Sequence, residues 1–423
     1  MREMKDSGVE WVGEIPKEWK IDKIKYHLKR NEPKNHGNAI VLSVYRDYGV
    51  IPKDSRDDNH NVTSEDTSKY KYVKKGQLVI NKMKAWQGSL AVSDYNGIVS
   101  PAYFIYDFTD EEYNHKYFHY LVRSCYKEEF KRISGGIREG QWDLSPEAFA
   151  NTLALLPPLV EQKYIANYLD IQCSEIDATA EDIQKEISLL EDYKKSVITE
   201  AVTKGLNPDA EMKDSGVKWI GEIPVNWQAV NPRWLFAQRK DRAKKGMEQY
   251  TASQKYGVIS QKDYMNRIGG SIVTVQKDFD ILKMVCEGDF VIHMRSFQGG
   301  LEYSEHTGSI SSAYVMLIPQ KNTGECRYFK WLFKSASYIN ALQSTSNLIR
   351  DGQAMRYSNF IQIIIPYPPL DEQQQIADFL DTKCSEIDAI IADKKRQRGI
   401  LAEYKKSLIY EYVTGKKEVP VHE

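Results

Sequence analysis

Two short clusters in the sequence mix residue types suited to contact with a nucleic acid. Lys82, Lys84, Trp86 and Gln87 form one; His293, Arg295, Phe297 and Gln298 form the other, at matched places. Lysine and arginine offer cations for phosphate, glutamine offers an amide able to pair with an adenine edge, and a flat aromatic completes each set. A second pair of loops, Arg138 with Gln141 and Arg350 with Gln353, is of the same kind. Tyr103 and Tyr314 end matched Ser-x-Ala-Tyr segments and join these candidates. A purely structural account would bury Trp86 and Phe297 in a core and leave the lysines solvated. Similar polar residues recurring at matched places in two otherwise divergent stretches shift the groups toward function.

Catalytic chemistry finds no comparable support. An adenine methyltransferase would carry Asn/Asp-Pro-Pro-Tyr/Phe at its base pocket. The two Pro-Pro pairs here sit in Leu156-Pro157-Pro158-Leu159 and Tyr367-Pro368-Pro369-Leu370, without the preceding polar residue or the following aromatic. Gly135-Gly136-Ile137-Arg138-Glu139-Gly140 is glycine-rich but lacks the Lys-Ser/Thr of a nucleotide-binding loop. Glu403-Tyr404-Lys405 resembles part of a nuclease motif, yet falls inside a helical pattern with no partnering acid. His293 stands alone and reads as a nucleic-acid contact or surface residue before a catalyst. No catalytic residue and no metal ligand is assigned.

The elements that must position these loops are repeated. The segment Pro157-Pro158-Leu159-Val160-Glu161-Gln162 returns as Pro368-Pro369-Leu370-Asp371-Glu372-Gln373, and Cys173-Ser174-Glu175-Ile176-Asp177 as Cys384-Ser385-Glu386-Ile387-Asp388. The shift is constant, since 372 − 161 and 384 − 173 both give 211. Each copy opens on a proline pair that favours an extended entry and then a helix. Ile165, Leu169, Cys173, Ile176, Ala180, Ile183, Ile187, Leu190, Tyr193 and Val197 follow at steps of three or four, one apolar helix stripe. The second copy offers Ile376, Leu380, Cys384, Ile387, Ile391, Leu401, Tyr404 and Leu408, with a polar gap at residues 394–398 and one helix-weakening Gly399. Neither stripe can hide alone, so the two helices are expected to pair as a coiled coil.

A second repeat lies at the start. Lys5-Asp6-Ser7-Gly8-Val9-Glu10-Trp11-Val12-Gly13-Glu14-Ile15-Pro16 returns from Lys213 to Pro224 at a shift of 208 (224 − 16), and Trp19 and Trp227 continue it. The expected fold class is therefore α/β (α+β): two small mixed domains, residues 1–155 and 206–366, alternate with two long helices, 156–205 and 367–415, before a polar, loose tail, 416–423. Helical patterns at 116–130 and 328–342 sit between strands. The layout is pseudo-cyclic, with the two termini expected close together.

Composition sets limits. Lys plus Arg is 58 and Asp plus Glu is 59 in 423 residues, which argues against coating nucleic acid by bulk charge but allows a local basic groove. Five cysteines without a C-x-x-C pair fit a reducing cytosol and give no disulfide framework. No apolar run approaches a membrane span. A cytoplasmic protein is expected.

The two Lys-Asp-Ser-Gly-Val segments and the two Pro-Pro-Leu-x-Glu-Gln helices together resemble the specificity subunit of type I restriction–modification enzymes, over nearly the whole chain. The resemblance implies that each variable domain is a target-recognition domain, reading one half of a split site in double-stranded DNA. It implies that the long helices run antiparallel, hold the readers apart and help seat two methyltransferase subunits, with restriction/motor subunits joining for cleavage. The chain itself would be non-catalytic. S-adenosylmethionine and ATP would sit on the partners, and the methylation directed would be at adenine N6. Alternatives from the residues alone are a stand-alone methyltransferase or nuclease, and a coiled-coil scaffold binding only proteins.

Overall fold

Each apolar stripe folds as one continuous helix: Leu159–Lys204 and Leu370–Val413 in a computed structural model of the chain. The structure describes residues 2–34, 39–46, 48–55, 66–136, 142–270, 281–345 and 355–420. The chain divides into two units, residues 1–183 with 396–423, and residues 184–395. Both long helices are therefore shared, each beginning in one unit and ending in the other.

Within the first unit, Ile165, Ala166, Leu169 and Ile176 join Leu408, Tyr412 and Val413 in one buried cluster. Lys405 binds Asp177 at 2.6 Å, and the Tyr412 hydroxyl lies 3.3 Å from that of Tyr168. Numbers fall on one helix as they rise on the other, so the two segments run antiparallel. The second unit repeats the scheme. Ile198, Ala201 and Val202 meet Ile376, Leu380 and Cys384 in its core, while Lys194 binds Asp388 at 2.6 Å and Lys394 binds Glu186 at 2.5 Å. The polar gap is thus bridged partly by ion pairs. Two stripe assignments fail: Tyr193 and Tyr404 are each 51% exposed. The seam passes through Leu408, as the spacing predicts, and through Ile198, which the stripe omits, and the half-buried Lys194 and Lys405 lay their stems along it before reaching a carboxylate.

Each unit carries a four-stranded antiparallel sheet. In the first, β1 (Leu28–Arg30), β2 (Leu78–Asn81), β3 (Leu90–Val92) and β4 (Tyr103–Phe108) lie in the order β1-β4-β2-β3. In the second, β5 (Phe236–Gln238), β6 (Phe290–Ile292), β7 (Glu302–Tyr303) and β8 (Val315–Pro319) lie as β5-β8-β6-β7. The order is the same. Strand alternation decides what each face buries. Leu78, Ile80 and Phe104 face the core shared with the helices, while Val79, Ala91 and Ile105 face a smaller cluster with Leu42, Val44 and Val50. Phe290, Ile292 and Leu317 face one core of the second unit, Val291 and Met316 the other. Each helical pattern beside the sheets resolves into two helices, His115–Ser124 with Lys127–Ile133, and Cys326–Leu332 with Ala336–Ser344. The second break is made by Ser335, whose hydroxyl accepts the Tyr338 N–H and starts a new helix.

The repeated motifs turn out to be joints. The Trp19 indole donates to Glu161 at 3.0 Å, and Trp227 to Glu372 at 2.7 Å. Gln162 donates to the carbonyls of Pro157 and Glu112 and accepts the Asn114 N–H; Gln373 donates to the Pro368 carbonyl and accepts the Glu325 N–H. The termini meet as expected, with Arg2 within 4.0 Å of Glu418 and hydrogen-bonded to Glu161. The tail differs from expectation over its described part. Lys416 donates to the Tyr410 hydroxyl, Lys417 binds Glu411, and Val419 packs on the core.

Two stability effects follow. Gly399 is exposed, lies in the helix interior, and would place a Cβ in open space. Gly399→Ala should stabilise the protein by about 0.5–1 kcal/mol in chemical denaturation. Burial, with Arg123 beside it, lowers the His119 pKa to about 3. A histidine held neutral makes its contribution fully above its unfolded pKa of about 6.5, and that contribution falls as pH drops toward 3. His119→Asn should therefore flatten the decline of stability between pH 6.5 and 5, which approaches about 1.4 kcal/mol per pH unit from this group.

Candidate nucleic-acid interface

The first candidate cluster follows β2. Asn81 at the strand end folds the chain over: its side chain accepts the Met83 N–H and its carbonyl the Lys84 N–H. A single helical turn, Ala85–Gln87, then stops at Gly88, whose φ of 93° suits glycine. Ala85 is buried, which fixes the turn and leaves its flanks outward. The second unit builds the same feature after β6. His293 and Ser296 anchor a short helix, Ser296–Gly299, that stops at Gly300 with φ 75°. A Cβ there would collide with the Phe333 carbonyl, so this stop has little room for another residue.

On these two platforms the side chains divide. Lys84, Arg295 and Gln298 are exposed and Gln87 is half-buried; none of the four has a side-chain hydrogen bond or ion pair among the described residues. Lys82 is engaged, binding Asp143 at 2.9 Å. Trp86 donates its indole N–H to the Met83 carbonyl, and its ring lies 5.5 Å from that of Trp142. Phe297 packs against the core of its unit. Tyr103 and Tyr314 are half-buried at the starts of equivalent strands, where Lys71 and Lys283 donate to their main-chain carbonyls at 2.7 and 2.6 Å. Burial raises the Tyr103 hydroxyl pKa. Burial, with Arg242 nearby, lowers that of Lys283.

His293 lies inside rather than on the surface, at 4% exposure. Its Nδ1 accepts the Arg295 N–H, and Nε2 stands 3.6 Å from the carboxylate of Glu302, which Lys334 also binds. The geometry makes it a brace for the turn. Arg138, Gln141, Arg350 and Gln353 lie outside the described residues. Sequence reasoning passed over Trp142 and Asp143, which the structure brings onto the first platform; their only signal was that they directly follow the second candidate loop.

The platforms can present one cation and one amide each, on a turn clamped from below. That suits phosphate contact and readout of a base edge.

Comparison with known proteins adds a framework. Residues 224–397 match the family described as Type I restriction modification DNA specificity domain. The chain is 23% identical over 434 residues to a putative type I restriction enzyme MjaX specificity subunit of Methanocaldococcus jannaschii, covering 96% of both. It is 23% identical over 421 residues to the MjaVIII specificity subunit of that organism, covering 96% of this chain and 94% of the relative. Among solved structures, a chain from a study of complex assembly and conformational transition in the type I R-M system aligns with a TM-score of 0.69 at 13% identity, over 95% and 99% of the two chains. The HsdS subunit from Thermoanaerobacter tengcongensis aligns with a TM-score of 0.51 at 14% identity, over 95% and 98%. The fold is therefore shared with these two solved structures.

The buried carboxylate beneath the second platform gives a direct test of its construction. Glu302 is 4% exposed and depends on Lys334. Lys334→Met should destabilise the protein by about 3 kcal/mol in denaturant unfolding, because it strands a buried charge. Adding Glu302→Gln should recover most of that loss.

Proposed function

We propose that this chain, similar along nearly its whole length to the specificity subunits of type I restriction–modification enzymes, is the DNA-reading subunit of such a system. One observation carries the reading. Two domains of identical sheet order and divergent sequence present equivalent turns, Lys84 with Gln87 on one and Arg295 with Gln298 on the other. Similar platforms with different side chains suit two different half-sites, hence an asymmetric bipartite target in double-stranded DNA. Arginine on one turn and lysine on the other differ in kind as well as place, since only the guanidinium offers a planar fork to a guanine edge.

The chain directs chemistry rather than performing it. Adenine-N6 methylation belongs to two methyltransferase subunits and cleavage to restriction/motor subunits, with S-adenosylmethionine and ATP held by those partners. The long helices supply a surface fitted to paired partners. Leu189 and Tyr193 are 69% and 51% exposed one turn apart, and Ile400 and Tyr404 repeat them at 61% and 51%. Their shift is 211 in each case, as 400 − 189 and 404 − 193 show. An apolar pair duplicated in this way favours two copies of one partner over a single unlike one. Among the described residues no helix is long and apolar enough to cross a membrane. We place the assembly in the cytoplasm, where its DNA is.

The test is an exchange of residues 20–155 for the same region of a relative, followed by genome-wide mapping of methylated adenines in cells carrying the partner subunits. Modification should change at one half of the target and persist at the other. A change in both halves would overturn the division of labour between the two domains.

A further inference from the structure

We propose that His27, Asp110 and Glu112 form a site for a first-row divalent cation of the zinc type, with Asp22 orienting the imidazole. The group lies in the first unit, where His27 enters β1 and Asp110 follows β4. His27 Nδ1 is 2.9 Å from Asp110 Oδ2 and 3.6 Å from Glu112 Oε2, and the three candidate ligand atoms all lie within 4.8 Å of one another. A cation with bonds of about 2.0–2.2 Å holds tetrahedral ligands about 3.3–3.6 Å apart. Of the separations from Nδ1, that to Glu112 matches the upper end of this range and that to Asp110 is shorter, so a small outward shift of Asp110 would open room for an ion.

Charge and hydrogen bonding point the same way. Asp22, Asp110 and Glu112 surround one imidazole, and no lysine or arginine pairs with any of the three among the described residues. Three carboxylates beside a single histidine leave negative charge that a divalent ion would offset. His27 is 3% exposed, and its Nε2 has no hydrogen-bond partner although Asp22 Oδ2 stands 3.4 Å away. A neutral imidazole that gives its proton from Nδ1 to Asp110 leaves Nε2 bare against a carboxylate. An imidazole that binds a metal through Nδ1 carries its proton on Nε2 and can donate it to Asp22, the usual arrangement behind a ligating histidine. The arrangement thus accounts for the orphaned nitrogen.

The surroundings are built to hold the ligands. The Glu112 N–H donates to Asp110 Oδ1 at 3.0 Å, and the Glu112 carbonyl accepts Gln162 at the start of the first long helix. Tyr113 packs edge-on against the His27 ring at 5.0 Å. The second repeat lacks these residues. At the shifts of 208 and 211, Leu235 stands for His27, Lys321 for Asp110 and Thr323 for Glu112. The site belongs to one half of the molecule, and it ties the loop at 110–114 to the beginning of the sheet.

The experiment is calorimetric titration of Zn²⁺ into the full chain after chelator treatment, with thermal unfolding and the visible spectrum of the Co²⁺-loaded protein alongside. The expected result is one tight equivalent, a rise in Tm with Zn²⁺ and not with Mg²⁺, and the absorption of a four-coordinate Co²⁺ centre. His27→Gln should abolish the tight site. Glu112→Gln, at a side chain 59% exposed and so harmless to folding, should weaken it at least roughly tenfold. Asp22→Asn should weaken it roughly tenfold while leaving the stoichiometry unchanged. Absence of a tight equivalent in the parent chain, or equal affinity in Glu112→Gln, overturns the proposal.

Discussion

A carboxamide without solvent exposure stands at the start of each long helix, and the rest of each unit depends on how its hydrogen bonds are met. Gln162 and Gln373 are both fully buried. Each donates to a proline carbonyl behind it and accepts an N–H from the loop that leads into a short helix of the adjoining domain. An unmet buried amide costs on the order of 1–3 kcal/mol, so the helix start and that loop are held in one arrangement. The neighbouring glutamate extends the joint. Glu161 and Glu372 each accept the indole N–H of a fully buried tryptophan from the N-terminal repeat. Three stretches distant in sequence thereby meet at one point in each unit.

The far ends of the helices are fixed by a different bond. The Tyr117 hydroxyl donates to the Val413 carbonyl, and the Tyr328 hydroxyl to that of Val202. Both tyrosines are fully buried, and burial raises their pKa values. A helix end has carbonyls with no intrahelical partner, and a buried one needs a donor. Each unit therefore consists of a variable domain, the start of one long helix and the end of the other. This explains why the chain repeats as it does. The first unit is completed only by residues 396–423, much as the second is completed by the end of the first helix from residue 184 on.

This organisation was legible because it rests on residues that repeat. The two helices, their pairing and the meeting of the termini could be read from matched motifs and from steps of three and four, while the antiparallel sense came only with the family resemblance. What was not legible depends on packing that no short pattern encodes. Tyr193 and Tyr404 keep the spacing of the stripe yet face outward, because lysine stems next to them take the buried edge. His293 had the look of a surface contact, but a neighbouring glutamate and lysine from elsewhere in the fold hold it inside. Trp142 could be linked to Trp86 only through the fold, since fifty-odd residues separate them in sequence. The short helices ended early for a local reason that was present in the sequence: Ser335 is a strong cap, and the apolar spacing ran through it.

The near balance of charge acquires a meaning from this architecture. A chain with 58 basic and 59 acidic residues has no large general attraction for phosphate, whose neutralisation dominates most binding to DNA. Many of its lysines and arginines are spent internally, Lys194, Lys394 and Lys405 on the helix seam, Lys82 on Asp143 and Lys334 on Glu302. The exposed Lys84 and Arg295 remain on the two equivalent turns. Weak general affinity with a few cations at defined places favours discrimination over grip. The apolar pairs Leu189 with Tyr193 and Ile400 with Tyr404 remain exposed on the helices and carry no charge of either sign.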